Sequence, residues 1–129
     1  MPLTRITLTP ALFETGHQEI STILQQCLET HFDVPSRDCF QIFDVQAPQH
    51  IVFDGYYPNL RKKRSESGIL FHIFAGKPRS SEQKRALYQA LNQHLTQYLP
   101  LNEEDIMVII QFNHAEDWSF ASGISATDK

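Results

Sequence analysis

The pattern of hydrophobic and polar positions predicts a strand, a helix and a strand in the first third of the chain. Apolar and β-branched residues at 2–8 indicate the first strand. Over 15–32, one helical stripe carries five apolar residues, Ile20, Ile23, Leu24, Cys27 and Leu28. Pro35 ends this helix, because the residue before a proline avoids helical geometry. Residues 39–45 indicate a second strand, so this unit covers about 2–45.

The same order of elements returns in the second half. Residues 69–75 predict a strand, and Ser80 with Gln83 three positions later has the pattern of a capping box that opens a helix. We expect its buried face to carry Leu87, Ala90, Leu91, His94, Leu95 and Tyr98. A near-continuous apolar run at 106–112 is typical of a strand buried on both faces. This second unit covers about 68–113.

The two units share a detail that indicates an internal duplication. In each, a proline-bearing turn and an acidic residue follow the helix: Pro35 then Asp38, and Pro100 then Asp105. Two right-handed β-α-β units side by side give a four-stranded mixed sheet with both helices on one face. The predicted fold class is therefore α+β, an α/β two-layer arrangement. Its uncovered sheet face needs a partner, which predicts an oligomer.

A long irregular connection at about 46–67 separates the units and carries the basic run from Arg61 to Arg64. Connections longer than about 15 residues are usually functional or mobile. We expect the basic run to be a solvated loop; the alternative is that it draws in anionic substrates. Residues 114–129 are predicted to form a C-terminal tail. With 129 residues, the chain has the usual size of one domain, so we predict a single domain over 1–129.

Charge and composition narrow the classes of function. The net charge of −4 disfavours a nucleic-acid binder, which usually carries a basic surface. No apolar run approaches the roughly 18 residues of a membrane span, and no signal-peptide pattern opens the chain. The histidines lack the spacing of metal ligands, and no glycine-rich phosphate loop is present. We therefore expect a cytoplasmic protein with no metal and no nucleic-acid or membrane partner.

Four segments together identify a known family. The chain starts Met1-Pro2 and runs directly into a strand, and the first helix ends in Phe-Asp-Val-Pro-Ser-Arg-Asp-Cys-Phe-Gln at 32–41. The third strand runs into Lys-Pro-Arg-Ser-Ser-Glu-Gln-Lys at 77–84, and Asp-Trp-Ser-Phe follows the last strand at 117–120. In order and spacing, these segments resemble the tautomerase superfamily, within it the malonate semialdehyde decarboxylase branch. The resemblance covers nearly the whole chain.

This resemblance implies a cofactor-independent homotrimer that acts on a small anionic keto or 3-oxo acid. The implied reaction is keto–enol tautomerisation or decarboxylation. Pro2 matches the family's N-terminal proline, which serves as acid and base once Met1 has been removed. Asp38 matches the family's catalytic aspartate.

The residues that hold the substrate are implied in the same way. Arg79 matches one of two carboxylate-binding arginines, while Lys77 stands where the decarboxylase has the other. Lysine lacks the bidentate fork of arginine, so this exchange is not conservative at a carboxylate clamp. Trp118 and Phe120 are implied to form an apolar wall of the site.

The chemistry of an N-terminal proline fits this assignment. A free α-amino group has a pKa of about 8. Partial burial and the cations of Lys77 and Arg79 are expected to lower the pKa of the Pro2 amine, because both disfavour its charged form. An amine that is neutral near physiological pH can take a proton next to a carbonyl and return it elsewhere.

Each assignment has a structural alternative. Pro2 can be a proline tolerated at a strand start, and Asp38 a turn residue, as we expect for Asp105. Arg79 can be a solvated side chain, and Trp118 with Phe120 plain core or interface residues. The alternative function is a catalytically weak trimeric relative that acts as a binding or scaffold protein.

Overall fold

The computed structural model describes residues 1–128 and consists of four strands, two long helices and three short 3-10 turns. The bounds are β1 Pro2–Leu8, α1 Pro10–Phe32, β2 Gln41–Val45, β3 Ile69–Ala75, α2 Ser81–Tyr98 and β4 Ile106–Phe112. The predicted bounds of β1, β3 and β4 are confirmed, whereas β2 begins at Gln41 rather than at 39. No helix of the described chain is long and apolar enough to cross a membrane.

The sheet has the strand order β2-β1-β3-β4. β1 pairs with β2 and β3 pairs with β4 in parallel, whereas β1 and β3 are antiparallel neighbours. Alternate strand residues and one stripe of each helix form a single core, with Ile6, Leu8, Ile69, Phe71, Ile73, Ile20, Leu24, Leu28, Leu87, Leu91 and Leu95 among its most buried members. This arrangement confirms the predicted α+β two-layer fold with a duplicated β-α-β unit.

Helix α1 starts before its hydrophobic stripe because local capping residues begin it. The Thr9 side chain accepts a hydrogen bond from the Leu12 amide, and Pro10 occupies a first-turn position where its missing N–H costs nothing. At Gly16 the backbone leaves helical geometry, with φ −146° and ψ 19°, and the Leu99 side chain fills the place of a Cβ there. This kink interrupts the stripe, so periodicity predicts a start at 15 instead of Pro10.

Three expectations about burial are wrong. His94 is exposed and Tyr98 is 61% exposed, because both lie at the margin of α2, where Tyr98 borders an open groove beside α1. Ile109 is 44% exposed, so β4 is not buried on both faces. β4 is an edge strand, and in the single chain no helix covers the side of the sheet that carries Ile109.

Asp105 ties the long connection to the sheet. Its carboxylate is 2% exposed and accepts hydrogen bonds from the Ser65 amide and hydroxyl, both at 2.7 Å, and from the Asn102 amide at 2.9 Å. The basic run is partly engaged as well, since the Arg64 guanidinium donates to the Asp54 carbonyl. Asp105 is thus a turn residue that also anchors the connection.

Candidate active site

All the predicted site segments meet at one edge of the sheet. Pro2, the first residue of β1, is buried and pairs with Ala75, the last residue of β3. Because β2 runs parallel to β1 and β4 runs parallel to β3, the start of β2 and the end of β4 reach the same edge. Asp38 precedes β2, while residues 77–79 follow β3 and residues 117–120 follow β4. We call this place the Pro2 edge.

The Asp38 carboxylate faces the N-terminus of the chain. Its Oδ2 lies 2.6 Å from the Met1 ammonium nitrogen, and its side chain is 16% exposed. The Asp38 backbone is fixed on both sides, since its amide donates to the Pro35 carbonyl and its carbonyl accepts from the Gln25 side chain. Oδ1 is buried and has no hydrogen-bond partner among the described residues. Asp38 is therefore a turn residue whose carboxylate is directed at the amine.

Covalent geometry places the same carboxylate close to Pro2. The nitrogens of Met1 and Pro2 are three bonds apart, so they lie at most about 3.7 Å from each other. Asp38 Oδ2 is then within about 6 Å of the Pro2 nitrogen. At the upper end of that range, one water molecule can bridge the two groups, because two hydrogen bonds of about 2.9 Å span such a gap.

Arg79 binds the C-terminal end of helix α1 and retains N–H donors that make no hydrogen bond to the described residues. Its Nε and one terminal nitrogen donate to the Phe32 carbonyl at 3.2 and 2.7 Å, and the other terminal nitrogen donates to the Lys77 carbonyl. The guanidinium carbon lies 5.1 Å from the centre of the Phe32 ring. A guanidinium has five N–H donors, so two remain for a ligand.

The electrostatics of this edge are mixed rather than purely cationic. Burial lowers the pKa of Arg79, and the carboxylates of Asp33 and Asp38 act in the opposite direction. Lys77 is exposed on the same segment. Lys77 and Arg79 are therefore not the only charges here, because the Asp38 carboxylate lies next to the N-terminus.

An aromatic wall stands beside these charges. The Trp118 and Phe120 rings stack with centroids 5.6 Å apart, and the Phe40 ring lies 5.5 Å from that of Phe120. The indole N–H of Trp118 donates to Asn113 Oδ1 at 2.6 Å. Phe40 and Phe120 are close to half exposed in the single chain. The wall is therefore open to a ligand or to a neighbouring copy.

Sequence reasoning missed three residues of this edge: Gly76, Asn113 and Phe40. A Cβ on Gly76 would stand 2.7 Å from the Met1 side-chain methyl and 2.8 Å from the indole nitrogen of Trp118. The Gly76 amide also donates to the Met1 carbonyl at 3.1 Å. The Met1 side chain thus lies against Gly76, beside Trp118. Within residues 1–128, no three His, Cys, Asp or Glu side chains come together as a metal-binding group would require.

Comparison with known proteins identifies a matching family and similar sequences. A family described as "Tautomerase enzyme" matches residues 38–121, more than half of the chain. The probable tautomerase YusQ of Bacillus subtilis (strain 168) is 29% identical over 123 residues, 95% of each chain.

Solved structures show the same fold. Malonate semialdehyde decarboxylase FG41, inhibited by 3-bromopropiolate, superposes with a TM-score of 0.86 and 29% identity, covering 96% of this chain and 92% of that one. A fused 4-OT, a symmetric trimer, has a TM-score of 0.77 at 18% identity, covering 98% and 97% of the two chains.

Proposed function

Because this chain belongs to the tautomerase family, we propose that it is a cofactor-independent enzyme whose base is the amine of Pro2, freed by removal of Met1. Its substrate is a small anionic keto or 3-oxo acid. The observation that carries the proposal is the Asp38 carboxylate, which is largely buried and lies 2.6 Å from the N-terminal nitrogen. Once Met1 is removed, this carboxylate lies within about 6 Å of the new N-terminal amine.

For tautomerisation, Pro2 acts alone on the moving proton. Its neutral nitrogen takes a proton from the carbon next to the carbonyl, and the electron pair of that bond moves into the carbonyl to give the enolate. The protonated nitrogen then returns the proton to the oxygen, or the same steps run in reverse. The two free N–H donors of Arg79 hold the substrate carboxylate.

For decarboxylation of a 3-oxo acid, the protonated form of Pro2 is the useful one. The bond to the carboxylate breaks, carbon dioxide leaves, and the electron pair moves into the carbonyl as an enolate. Protonated Pro2 then gives its proton to the carbon. Asp38 favours this reaction, because its charge stabilises the protonated amine and its oxygen can accept a hydrogen bond from a water molecule in the gap.

The test of this function is an assay of the processed chain against a panel of enolisable keto acids and 3-oxo acids, including phenylpyruvate and malonate semialdehyde. We expect turnover of at least one member without any added metal or cofactor. A folded, processed chain that turns over none of them would favour the alternative, a relative that binds rather than catalyses. A chain that keeps Met1 would correspond to that alternative. Its Met1 ammonium pairs with Asp38, and it has no free proline amine.

We further propose that the chain is a homotrimer. The sheet face away from the helices carries exposed apolar side chains, among them Ile42 at 40% and Ile109 at 44%, and such a face needs a cover. The structurally similar fused 4-OT is a symmetric trimer. Light scattering of the purified protein is expected to give three times 14.9 kDa. A stable monomer at micromolar concentration would contradict the proposal.

Replacing Arg79 by alanine is expected to lower kcat/KM for acidic substrates by about ten- to hundred-fold. A lost charged hydrogen bond costs about 1.5–3 kcal/mol, which corresponds to that range. Arg79→Lys keeps the charge without the fork and should fall in between. Because Arg79 also binds the Phe32 carbonyl, a thermal melt must show that both variants are folded. Unchanged kinetics in folded Arg79→Ala would remove this residue from the site.

A further inference from the structure

The side chain of Met1 occupies a space at the Pro2 edge that removal of Met1 would vacate. Its ammonium pairs with Asp38, and its methyl group lies where a Cβ on Gly76 would stand. The indole of Trp118 borders the same position, because its nitrogen would lie 2.8 Å from a Cβ on Gly76. Resting on the function proposed above, we propose that this space is the subsite for the carbon chain of the substrate, and that Gly76 sets its size.

Position 76 requires a glycine because a side chain has no room there, and not because of the backbone conformation. Gly123 is the one glycine among residues 1–128 with a positive φ, so the conformation at Gly76 is open to other residues. A Cβ at Gly76 would come within 3.1 Å of two indole atoms of Trp118, closer than real Cβ contacts normally come. With Met1 gone, a side chain at this position would project into the vacated space.

The opposite wall of the subsite is held in place. Asn113 follows β4, and its amide donates to the Ala75 carbonyl while its side chain accepts the indole proton of Trp118. The Trp118 ring also stacks on Phe120. An indole fixed at its nitrogen and on one face offers a rigid apolar surface to a ligand.

The shape of the vacated space defines the ligand class. Methionine has an unbranched apolar side chain, so the space accepts an unbranched carbon chain up to about that length. At the polar end, the two remaining N–H donors of Arg79 are the groups of the Pro2 edge that attract a carboxylate. The subsite therefore suits unbranched acids over branched ones, with the polar groups near Pro2 and the chain against Trp118.

The test is a fluorescence titration of the processed protein with propanoate, butanoate, pentanoate and hexanoate. Trp118 is the single tryptophan of the chain, so its emission reports this wall directly. These saturated acids have no keto group, so the readout is independent of turnover. Each added CH₂ should tighten binding by roughly fourfold until the chain exceeds the length of a methionine side chain.

Gly76→Ala is expected to weaken pentanoate binding at least about tenfold while changing propanoate binding much less, because the methyl group removes the far end of the space. Gly68→Ala is the matched control. Gly68 precedes β3 as Gly76 follows it, and its Cβ would make an ordinary 3.4 Å contact with the Phe53 ring. This control should bind like the wild type.

A chain that keeps Met1 supplies a second test that needs no substitution in the subsite. Expression with a methionine aminopeptidase inhibitor yields it, and none of the four acids should shift its Trp118 emission. Equal binding by the two forms, no binding of any acid to the processed form, or no effect of Gly76→Ala would each overturn the subsite. Length-dependent binding without turnover of any keto acid would instead remove the proposed function and leave the subsite standing.

Discussion

Replacing Pro2 by alanine is expected to lower kcat/KM for every substrate by about 10²–10⁴-fold, the range typical of general acid–base catalysis. In the proposed mechanism, tautomerisation and decarboxylation both depend on the Pro2 nitrogen, and no other residue is proposed as the base. Alanine leaves a primary amine in place of the secondary amine. It also lacks the ring that fixes the backbone at the strand start. Initial rates with phenylpyruvate and malonate semialdehyde measure the two reactions.

Pro10→Ala is the matched control for this substitution. Pro10 is exposed in the first turn of α1, away from the Pro2 edge, so its loss should leave both rates unchanged. Circular dichroism and light scattering establish that each variant keeps its fold and assembly. If folded Pro2→Ala kept full tautomerase activity, the base would have to be another group.

Asp38→Asn is expected to separate the two reactions. The substitution keeps the shape of the side chain and removes its charge, which in the proposed mechanism is the counter-ion of protonated Pro2. Decarboxylation, which in the proposed mechanism uses that protonated form, should fall by about 10²–10⁴-fold. Tautomerisation should fall much less, because it begins with the neutral amine. The measurement is kcat/KM for both reactions on the same preparation.

Asp33→Asn controls for the loss of a nearby negative charge. Asp33 also acts on the pKa of Arg79, but it is exposed at the end of α1 with φ 54°, a conformation that asparagine tolerates. This variant should keep the ratio of the two reactions. Should Asp38→Asn decarboxylate as fast as the wild type, Asp38 would revert to a turn residue whose carboxylate only pairs with the N-terminus.

The sequence predicts the strands well because they are short apolar runs bounded by turns. Periodicity identifies which residues of an element share a face, but it does not reveal what covers that face. Ile109 is accordingly apolar and yet exposed, because it lies on the sheet face opposite the core, whereas Val108 and Ile110 of the same strand pack against the core. Periodicity places the start of α1 too late for a different reason, because the kink at Gly16 breaks the apolar stripe.

The site was predicted through a family resemblance, and only the strand order explains why its parts meet. Asp38 and Arg79 are far apart in sequence, and they come together because β1 lies between β2 and β3. Gly76 and Asn113 gave no signal, since a glycine or an asparagine after a strand is typical of a turn. The proposed roles of Gly76 and Asn113 depend on tertiary contacts with Met1 and Trp118, which cannot be inferred from a single sequence.

The claim that Pro2 is the base is tested most directly by comparing kcat/KM for phenylpyruvate between chains that begin at Pro2 and chains that keep Met1. Intact-protein mass spectrometry gives the fraction of each form in a preparation. Because an amide nitrogen cannot take up a proton at neutral pH, activity is expected to rise in proportion to the fraction that begins at Pro2, with only background turnover in the Met1 form. Equal kcat/KM in the two forms would contradict the claim.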